Sequence, residues 1–503
     1  MKALQKVIFA SILFVLLLFS NGQYAMSFAI WVAVPMLLFA VRKLKRWQGF
    51  LFALVMIGAS YYFAFDVVPF IPVPVSIALA VMYSAVASLP YLIDSFFSKN
   101  RASFLATLVF PTAAVLFEYA YHQFYPYGSW GHLAYSQESQ TALLQSISVL
   151  GMGYITFLIT WFAAVVNWVY EQRQQQGTVK QGVLAYSLVL GITLMYGSYR
   201  ITFQEANSET VQVASISAQD SLMVQIDLPG LNNPETEQEV KAIIRANTTR
   251  LNNHLFDRSM AEAQAGAKIV FWAEGNGTIL KEDEHELYNQ ASMIAAEQKI
   301  YLGLGVAVID PTNSRFLENK FVVFDPEGNK AIDYWKGISV PGAEAPISNN
   351  QAVGIQQIDT DYGTLAAVIC FDLDFPDYLK GANGTDILLA PSNDFIEIDP
   401  MHTDMAKFRA IEQGFNLIRQ ASHGRSAGTD YTGKVVSEMD HFTDPEKTMV
   451  TKLPTQGVRT LYSVIGDSFI AVCLLVFVFS SLALKRGVAF RFKKQSLTLE
   501  PYG

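Results

Sequence analysis

The chain has 503 residues, enough for two cores, with 51% hydrophobic residues and a formal net charge of -8 at pH 7. An acidic balance with no basic patch interleaved with aromatics excludes a nucleic-acid binder, and only two cysteines, Cys370 and Cys473, exclude a disulfide framework. The charged residues, 16% of the chain, are unevenly spread: long stretches before residue 200 have none, while residues 205–455 have the composition of a water-soluble protein.

Eight apolar runs are candidates to cross a bilayer as helices, at residues 6–20, 24–41, 49–65, 73–96, 102–120, 143–169, 182–199 and 462–484, since a span needs about 17–25 apolar residues. The first is short. Lys2 and Lys6 ahead of it resemble the start of a signal peptide, but no small-x-small cleavage site follows, so a retained helix is expected. Cytoplasmic loops retain Lys and Arg. Alternate connections are basic: Arg42, Lys43, Lys45 and Arg46, then Lys99 and Arg101, then Arg173 and Lys180, and finally Lys485, Arg486, Arg491, Lys493 and Lys494. The loops at 21–23, 66–72 and 121–142 contain neither residue. Both termini are therefore expected in the cytoplasm, and the segment from about 200 to 461 is expected on the external face of the cell membrane, the inner one where there are two.

Within that segment, β-rich runs start at 211, 268, 300, 320, 354, 364 and 386, and helical stretches fall at 236–265, 284–298 and 402–421. Near-continuous apolar strands between amphipathic helices predict an α/β domain with helix-covered sheets. Hairpins such as the one through "DPEGNK" at 325–330 favour a mixed two-sheet core. The predicted domains are a membrane part at 1–200, an external α/β part at 205–455, a last spanning helix at 462–484 and a basic cytoplasmic tail at 485–503.

Three residues stand at or just beyond strand ends, where α/β sheets place their chemistry: Glu274 closes "KIVFWAE", Lys336 follows "AIDYW", and Cys370 closes "TLAAVIC". Alone, each reads more simply as a solvated loop residue or, for the cysteine, a small buried hydrophobe. Together they make a nucleophile, a base and an oxyanion donor. A thiol needs a base to become a thiolate, and a positioned ammonium stabilises the tetrahedral oxyanion. The histidines show no metal-ligand spacing, His402 and His423 being 21 apart, so neither metal nor cofactor is expected.

Glu, Lys and Cys in this order resemble the nitrilase (carbon-nitrogen hydrolase) superfamily. "YWKGISVPGAE" is similar to its lysine segment, with Glu344 eight residues after Lys336 where that family carries a supporting glutamate; "ICFDLDFPD" is similar to its nucleophile elbow. "LLAPSNDF" and "MHTDMAKFRAIEQGFNLIRQASHG" are similar to its later strand and helix, so the resemblance covers about 208–440 and implies an αββα sandwich. Helices before such a domain and one after it resemble the apolipoprotein N-acyltransferase family, as does the loop and helix "YPYGSWGHLAYSQESQTALLQSISVLGMGYITFLITW" from 125 to 161. By composition alone that loop also reads as an interfacial aromatic belt.

The resemblance implies a ping-pong transfer. Cys370 takes an acyl chain from a glycerophospholipid as a thioester, and the α-amino group of the S-diacylglyceryl cysteine of an apolipoprotein accepts it. Glu274 moves the protons and Lys336 holds the oxyanion. Glu344, Phe371 and Asp372 are implied as supporting residues, and Trp272, Ser392 and Asn393 as substrate-binding ones. A monomer in the bilayer is expected. Three positions depart from the acyltransferase pattern: Asp372 where Glu is usual, "NDFIEIDP" at 393–400 in place of a more aromatic loop, and Ala273 in place of Pro. The same triad with water as acceptor would make a membrane-tethered amidase. A transporter or binding protein is disfavoured because only Asp66, Asp94 and Glu118, besides the terminal groups, are charged in or next to the first six helices.

Overall fold

The computed structural model describes residues 3–65, 71–97, 100–204, 209–349, 351 and 353–486. Lys2, Asp66, Lys99, Arg491, Lys493 and Lys494 lie outside the described residues. The first half is a helical bundle of α1 (Ala3–Leu18), α2 (Ala29–Arg42), α3 (Arg46–Phe65), α4 (Val73–Phe96), α5 (Val109–Phe124), α6 (Met152–Gln172) and α7 (Gln176–Phe203). Among the described residues six segments are long and apolar enough to cross a membrane: α3, α4, α5 with the turn before it, α6, α7 and the last helix, Ser468–Lys485. The other two differ from expectation. With 16 and 14 residues, α1 and α2 reach only about 24 and 21 Å at 1.5 Å per residue. The predicted run at 143–169 divides into short helices at Thr141–Leu144 and Ile147–Leu150 before α6, with Gly151 at the break.

One end of the bundle gathers the basic connections. Arg42 pairs with Asp94 at 2.7 Å and Glu171 at 3.3 Å, and Arg101 meets Asp94 at 3.0 Å. Asp94 is thus a paired charge, which removes much of the cost of burying it. Asn100 donates to the Leu484 carbonyl at 2.9 Å, which brings the end of the last helix to the same place.

The second half holds two sheets. Their strands are β1 (Thr210–Ile216), β2 (Ile269–Trp272), β3 (Gly277–Leu280), β4 (Tyr301–Ile309), β5 (Leu317–Phe324), β6 (Lys330–Trp335), β7 (Gln357–Thr360), β8 (Gly363–Ala367), β9 (Ile387–Asn393), β10 (Asn416–Ser422), β11 (Arg425–Thr429), β12 (Val435–Asp440) and β13 (Thr448–Pro454). One sheet runs β13-β1-β2-β4-β5-β6, with β3 also on β4, and the other runs β12-β11-β10-β9-β8-β7. Parallel neighbours need crossovers. Helix α8 (Glu237–Gln264) links β1 to β2, α9 (Glu284–Gln298) links β3 to β4, and α10 (Met401–Gln413) links β9 to β10.

Strand periodicity sorts the side chains. Val211, Val213, Ile269 and Phe271 pack between the sheets against Leu365, Leu388 and Leu417. Their neighbours Ala214, Ile216, Val270 and Trp272 turn outward to Leu251, Phe256 and Leu287 of the covering helices. The result is the αββα sandwich the motifs implied, each large buried side chain contributing about 1.5–3 kcal/mol.

The helix predicted at 402–421 stops at Gln413. Gly414 has φ +87°, and a Cβ there would lie 1.7 Å from the Val458 carbonyl oxygen, so only glycine fits. The chain then re-enters the sheet as β10. Helix α10 itself has two buried faces. Ala406 and Ala410 join the sandwich core, whereas Met405, Phe408 and Ile411 join the cluster formed by Leu37, Phe110 and Ile155 of the bundle.

Candidate active site

The three candidate residues sit at neighbouring strand ends. Glu274 lies two residues beyond β2, Lys336 follows β6 directly, and Cys370 opens a tight turn, Cys370–Asp374, beyond β8. Because β2 and β6 belong to one sheet and β8 to the other, the facing of the sheets brings the residues to one place. Cys370 has φ +47°, a left-handed conformation that costs a side-chain-bearing residue roughly 1–2 kcal/mol. Such strain concentrates at functional positions.

Lys336 is the hub. Its Nζ donates to Glu274 Oε1 at 2.7 Å and to Glu344 Oε2 at 2.6 Å. Asn319 Nδ2 also donates to both carboxylates, at 2.7 Å to Glu274 Oε1 and 2.8 Å to Glu344 Oε1. Burial works against charge on Lys336, but the two carboxylates outweigh it and keep the ammonium protonated. Glu274 is raised by burial, opposed by Lys336 and reinforced by Glu344. Burial also pushes Glu344 up, but Lys336 and the Val340 amide bring it below its ordinary value. Glu274 Oε2 is buried and has no hydrogen-bond partner, leaving a proton acceptor unused. The Cys370 thiol is raised well above its ordinary value by burial and by the Glu274 carboxylate, with Lys336 opposing. Burial thus favours the protonated form of both the thiol and the Glu274 carboxyl, and Lys336 is the group that opposes it at each.

Asp372 braces the elbow. Its Oδ2 accepts from the Tyr334 hydroxyl at 2.7 Å and the Ile369 amide at 3.0 Å, and its Oδ1 accepts from the Ile338 amide at 2.8 Å. One carboxylate thus joins the cysteine turn to the residues flanking Lys336. Burial lifts Asp372 to about 6, with the Tyr334 hydroxyl and the backbone amides opposing. A shorter side chain than Glu still spans the gap. Phe371 packs edge-on against Tyr127 and Phe375, with centroids 6.4 and 5.1 Å apart.

The flanking residues divide. Asn393 lines the cavity over the cysteine, its carbonyl oxygen 3.8 Å from Cys370 Sγ. Ser392 is fully buried and donates to the Ala390 carbonyl at 3.2 Å. Trp272 faces the helices, donating to Ser259 Oγ at 2.9 Å and packing on Phe256. Strand alternation therefore puts Trp272 on the side away from the cavity.

That cavity, of about 200 Å³, has walls from both halves of the chain. Glu274, Lys336, Glu344, Cys370 and Phe371 form one side. Tyr61, Tyr62 and Phe65 of α3, Ser76 and Leu79 of α4, and Tyr125, Tyr127 and Trp130 of the loop after α5 form the other.

Sequence reasoning missed a second buried network at this wall. His402 Nδ1 lies 2.8 Å from Asp394 Oδ1 and its Nε2 lies 3.0 Å from Asp374 Oδ2. Arg419 meets both Asp394 oxygens at 2.7 Å. Burial disfavours a charged ring, but the Asp374 and Asp394 carboxylates outweigh it and raise His402 to about 9. The network reaches the membrane half: Trp130 Nε1 donates to Asp374 Oδ2 at 2.8 Å, and the Ser129 amide donates to the Asp374 carbonyl at 2.8 Å. Gly128, at φ +59°, permits this approach, since a Cβ there would lie 2.4 Å from the same carbonyl oxygen. The partners are separated by 8 to 28 residues within the domain and by 244 for Trp130, so no local motif announces them.

Cys370, Asp394 and His402 could be read as metal ligands by proximity. Both ring nitrogens of His402 are already engaged, Nδ1 with Asp394 and with Arg419 at 2.8 Å each and Nε2 with Asp374 at 3.0 Å.

A family model described as the apolipoprotein N-acyltransferase N-terminal domain matches residues 14–165, and a carbon-nitrogen hydrolase model matches 223–462. The apolipoprotein N-acyltransferase of Rickettsia prowazekii is 22% identical over 442 residues, 80% of this chain and 84% of that protein. That of Borreliella burgdorferi is 22% identical over 70% of each. Apolipoprotein N-acyltransferase 1 of Treponema denticola is 23% identical over 84% of this chain and 85% of that one. An amidase from Nesterenkonia sp. superposes with a TM-score of 0.40 at 15% identity, covering 50% of this chain and 92% of the amidase. The two family models fall on the bundle and on the two-sheet domain, and the named relatives align across the join between them, so the chain is similar to apolipoprotein N-acyltransferases through both halves.

Proposed function

We propose that this multi-pass membrane protein N-acylates apolipoproteins, taking the acyl chain from a glycerophospholipid through a thioester on Cys370. The observation that carries this reading is the shared cavity, in which a cysteine, a carboxylate and an ammonium from the sandwich face an aromatic wall from the bundle. A soluble amide hydrolase has no need of such a wall. A lipid ester does.

In the first half-reaction, Cys370 Sγ attacks the ester carbonyl while Glu274 Oε2, free of other partners, takes the thiol proton. Lys336 donates one N–H hydrogen bond each to Glu274 and Glu344 and has a third N–H for the oxyanion. The tetrahedral intermediate collapses, the C–O bond breaks, and Glu274 returns the proton to the departing lysophospholipid oxygen. In the second, the α-amino group of the S-diacylglyceryl cysteine attacks the thioester carbonyl, Glu274 takes a proton from it, the C–S bond breaks as the amide forms, and Glu274 returns the proton to Cys370 Sγ. Excluding water protects the thioester, and the apolar wall serves that end.

The orientation we propose puts the two-sheet domain on the external face. The basic connections around Arg42 and Arg101 cluster at one end of the bundle and the cavity lies at the other, which agrees with the charge rule for cytoplasmic loops. Both lipid substrates would then be reached from the outer leaflet, by a single chain.

Mass spectrometry of a lipoprotein's N-terminal peptide, with and without this protein, tests the function. Loss of the N-linked acyl chain on depletion is expected, and an unchanged triacyl form would refute the proposal. Purified protein with labelled phosphatidylethanolamine separates acyl transfer from hydrolysis, because free fatty acid without acylated lipopeptide would mark a hydrolase.

A further inference from the structure

Outside the active site, three side chains that no local spacing connects converge on one point at the rim of the sandwich. Asp220 lies in the short turn Asp220–Leu222 after β1, His423 in the turn between β10 and β11, and His441 just after β12. Asp220 Oδ1 is 2.9 Å from His441 Nε2 and 3.8 Å from His423 Nε2, and the three ligand atoms all lie within 4.8 Å of one another. The two imidazoles have centroids 4.9 Å apart. A tetrahedral zinc ion with bonds near 2.0–2.1 Å separates its ligand atoms by about 3.3 Å. The observed separations of 2.9 and 3.8 Å bracket that value.

The surroundings prepare His423 for ligation. Its Nδ1 is 3.0 Å from Asn393 Oδ1, an amide oxygen that can only accept, so Nδ1 is the donor there and Nε2 is the nitrogen turned toward Asp220. Metal-binding histidines are usually oriented in this way by a hydrogen bond from the other ring nitrogen. His441 is buried at 1% side-chain exposure, while His423 and Asp220 are 38% and 62% exposed, which leaves a coordination position open to solvent. Among the described residues, Lys447 is a cation beside the cluster, and its ammonium donates to the His441 carbonyl rather than to the ring. His423 also shows φ +55°, an uncommon conformation for a residue other than glycine.

We propose that Asp220 Oδ1, His423 Nε2 and His441 Nε2 form a solvent-facing site for a divalent transition-metal ion of the zinc class, separate from the Cys370 centre. Water fills the remaining position. The ion does not touch the reacting atoms. It braces the turn that carries His423 and, through the bond to Asn393, the end of β9 beside Cys370.

The test is Zn²⁺ titration by calorimetry on the full chain in detergent, with any affinity tag removed and in a Cys370→Ala background so that the thiol does not bind the ion. One equivalent of Zn²⁺ is expected, with a rise in the thermal midpoint because an ion that binds only the folded state stabilises it. In the double variant Asp220→Asn/His423→Ala, both at exposed positions, affinity should fall by about tenfold or more. Circular dichroism and the metal-free midpoint should match the parent. Absence of saturable binding in the parent overturns the site, and so does an isotherm that the double variant leaves unchanged. Neither result bears on acyl transfer, which is read separately.

Discussion

The indole N–H of Trp130 donates to Asp374 Oδ2 at 2.8 Å, across 244 residues of sequence. Asp374 stands four residues after Cys370 and also holds His402. A loop of the bundle is thereby bonded to the turn that carries Cys370. Trp130→Phe keeps the ring and removes the donor. A hydrogen bond to a charged group is worth about 1.5–3 kcal/mol, so the thermal midpoint should drop and acyl transfer should slow. An unchanged midpoint and rate would show that the bond does not couple the two halves.

Cys370→Ala and Glu274→Gln separate nucleophile from base. Mixed with phospholipid and no acceptor, the parent protein should gain the mass of one acyl chain. Cys370→Ala should gain none, and Glu274→Gln should gain it about 10²–10⁴-fold more slowly, the usual range for general acid–base catalysis. Acylation of the alanine variant at the parental rate would displace Cys370 from the mechanism.

Lys336 pulls Glu274 down while burial raises it. Glu274 must be ionised to accept the thiol proton, so Lys336→Met should move the acid limb of kcat/KM to higher pH. The rate at the optimum should fall by about 10²–10³, as for loss of one oxyanion donor. A slowed enzyme whose acid limb stayed in place would show that Lys336 does not tune Glu274.

His402 has its pKa raised from 6.5 to about 9. A group that holds its proton more tightly when folded stabilises the fold most below its unfolded pKa and loses that contribution as pH rises through the folded value. The window is therefore about pH 6.5 to 9, and the full effect is on the order of 3 kcal/mol. The thermal midpoint of the parent should decline across that window, and the decline should be shallower in His402→Gln. Parallel curves would indicate a neutral ring.

Topology is testable by labelling single cysteines in intact and permeabilised cells, with Cys370 and Cys473 replaced. Glu327→Cys, on an exposed turn of the sandwich, should react with an impermeant maleimide in spheroplasts. Lys45→Cys, in the exposed connection before α3, should react only after permeabilisation. The reverse pattern would invert the proposed orientation.

The parts of this molecule legible in its sequence are those written in local pattern. Apolar runs and loop charges located the bundle, and Glu274, Lys336 and Cys370 were visible because each ends or follows an apolar strand. Trp272 was misread because a motif does not say which face of a strand a side chain takes, and alternation sends it to the helices. The helix after Pro400 was drawn too long because "NLIRQAS" is apolar enough for either structure, and the left-handed Gly414 decides. The Asp374–His402–Asp394–Arg419 network and the aromatic wall from α3 were invisible because they depend on contacts between distant segments. Asp372, which departs from the usual acyltransferase residue, proved to be a hydrogen-bonded brace whose partners lie in β6, in the turn after it and just beyond β8.

Helix α10 belongs to two cores at once, alanines on one face and Met405, Phe408 and Ile411 on the other. Excision of the two-sheet domain would leave those three side chains as a wet oily ridge prone to self-association. Heat should likewise find no seam between the halves: neither core can lose α10 without opening the other, so both should melt in one cooperative step.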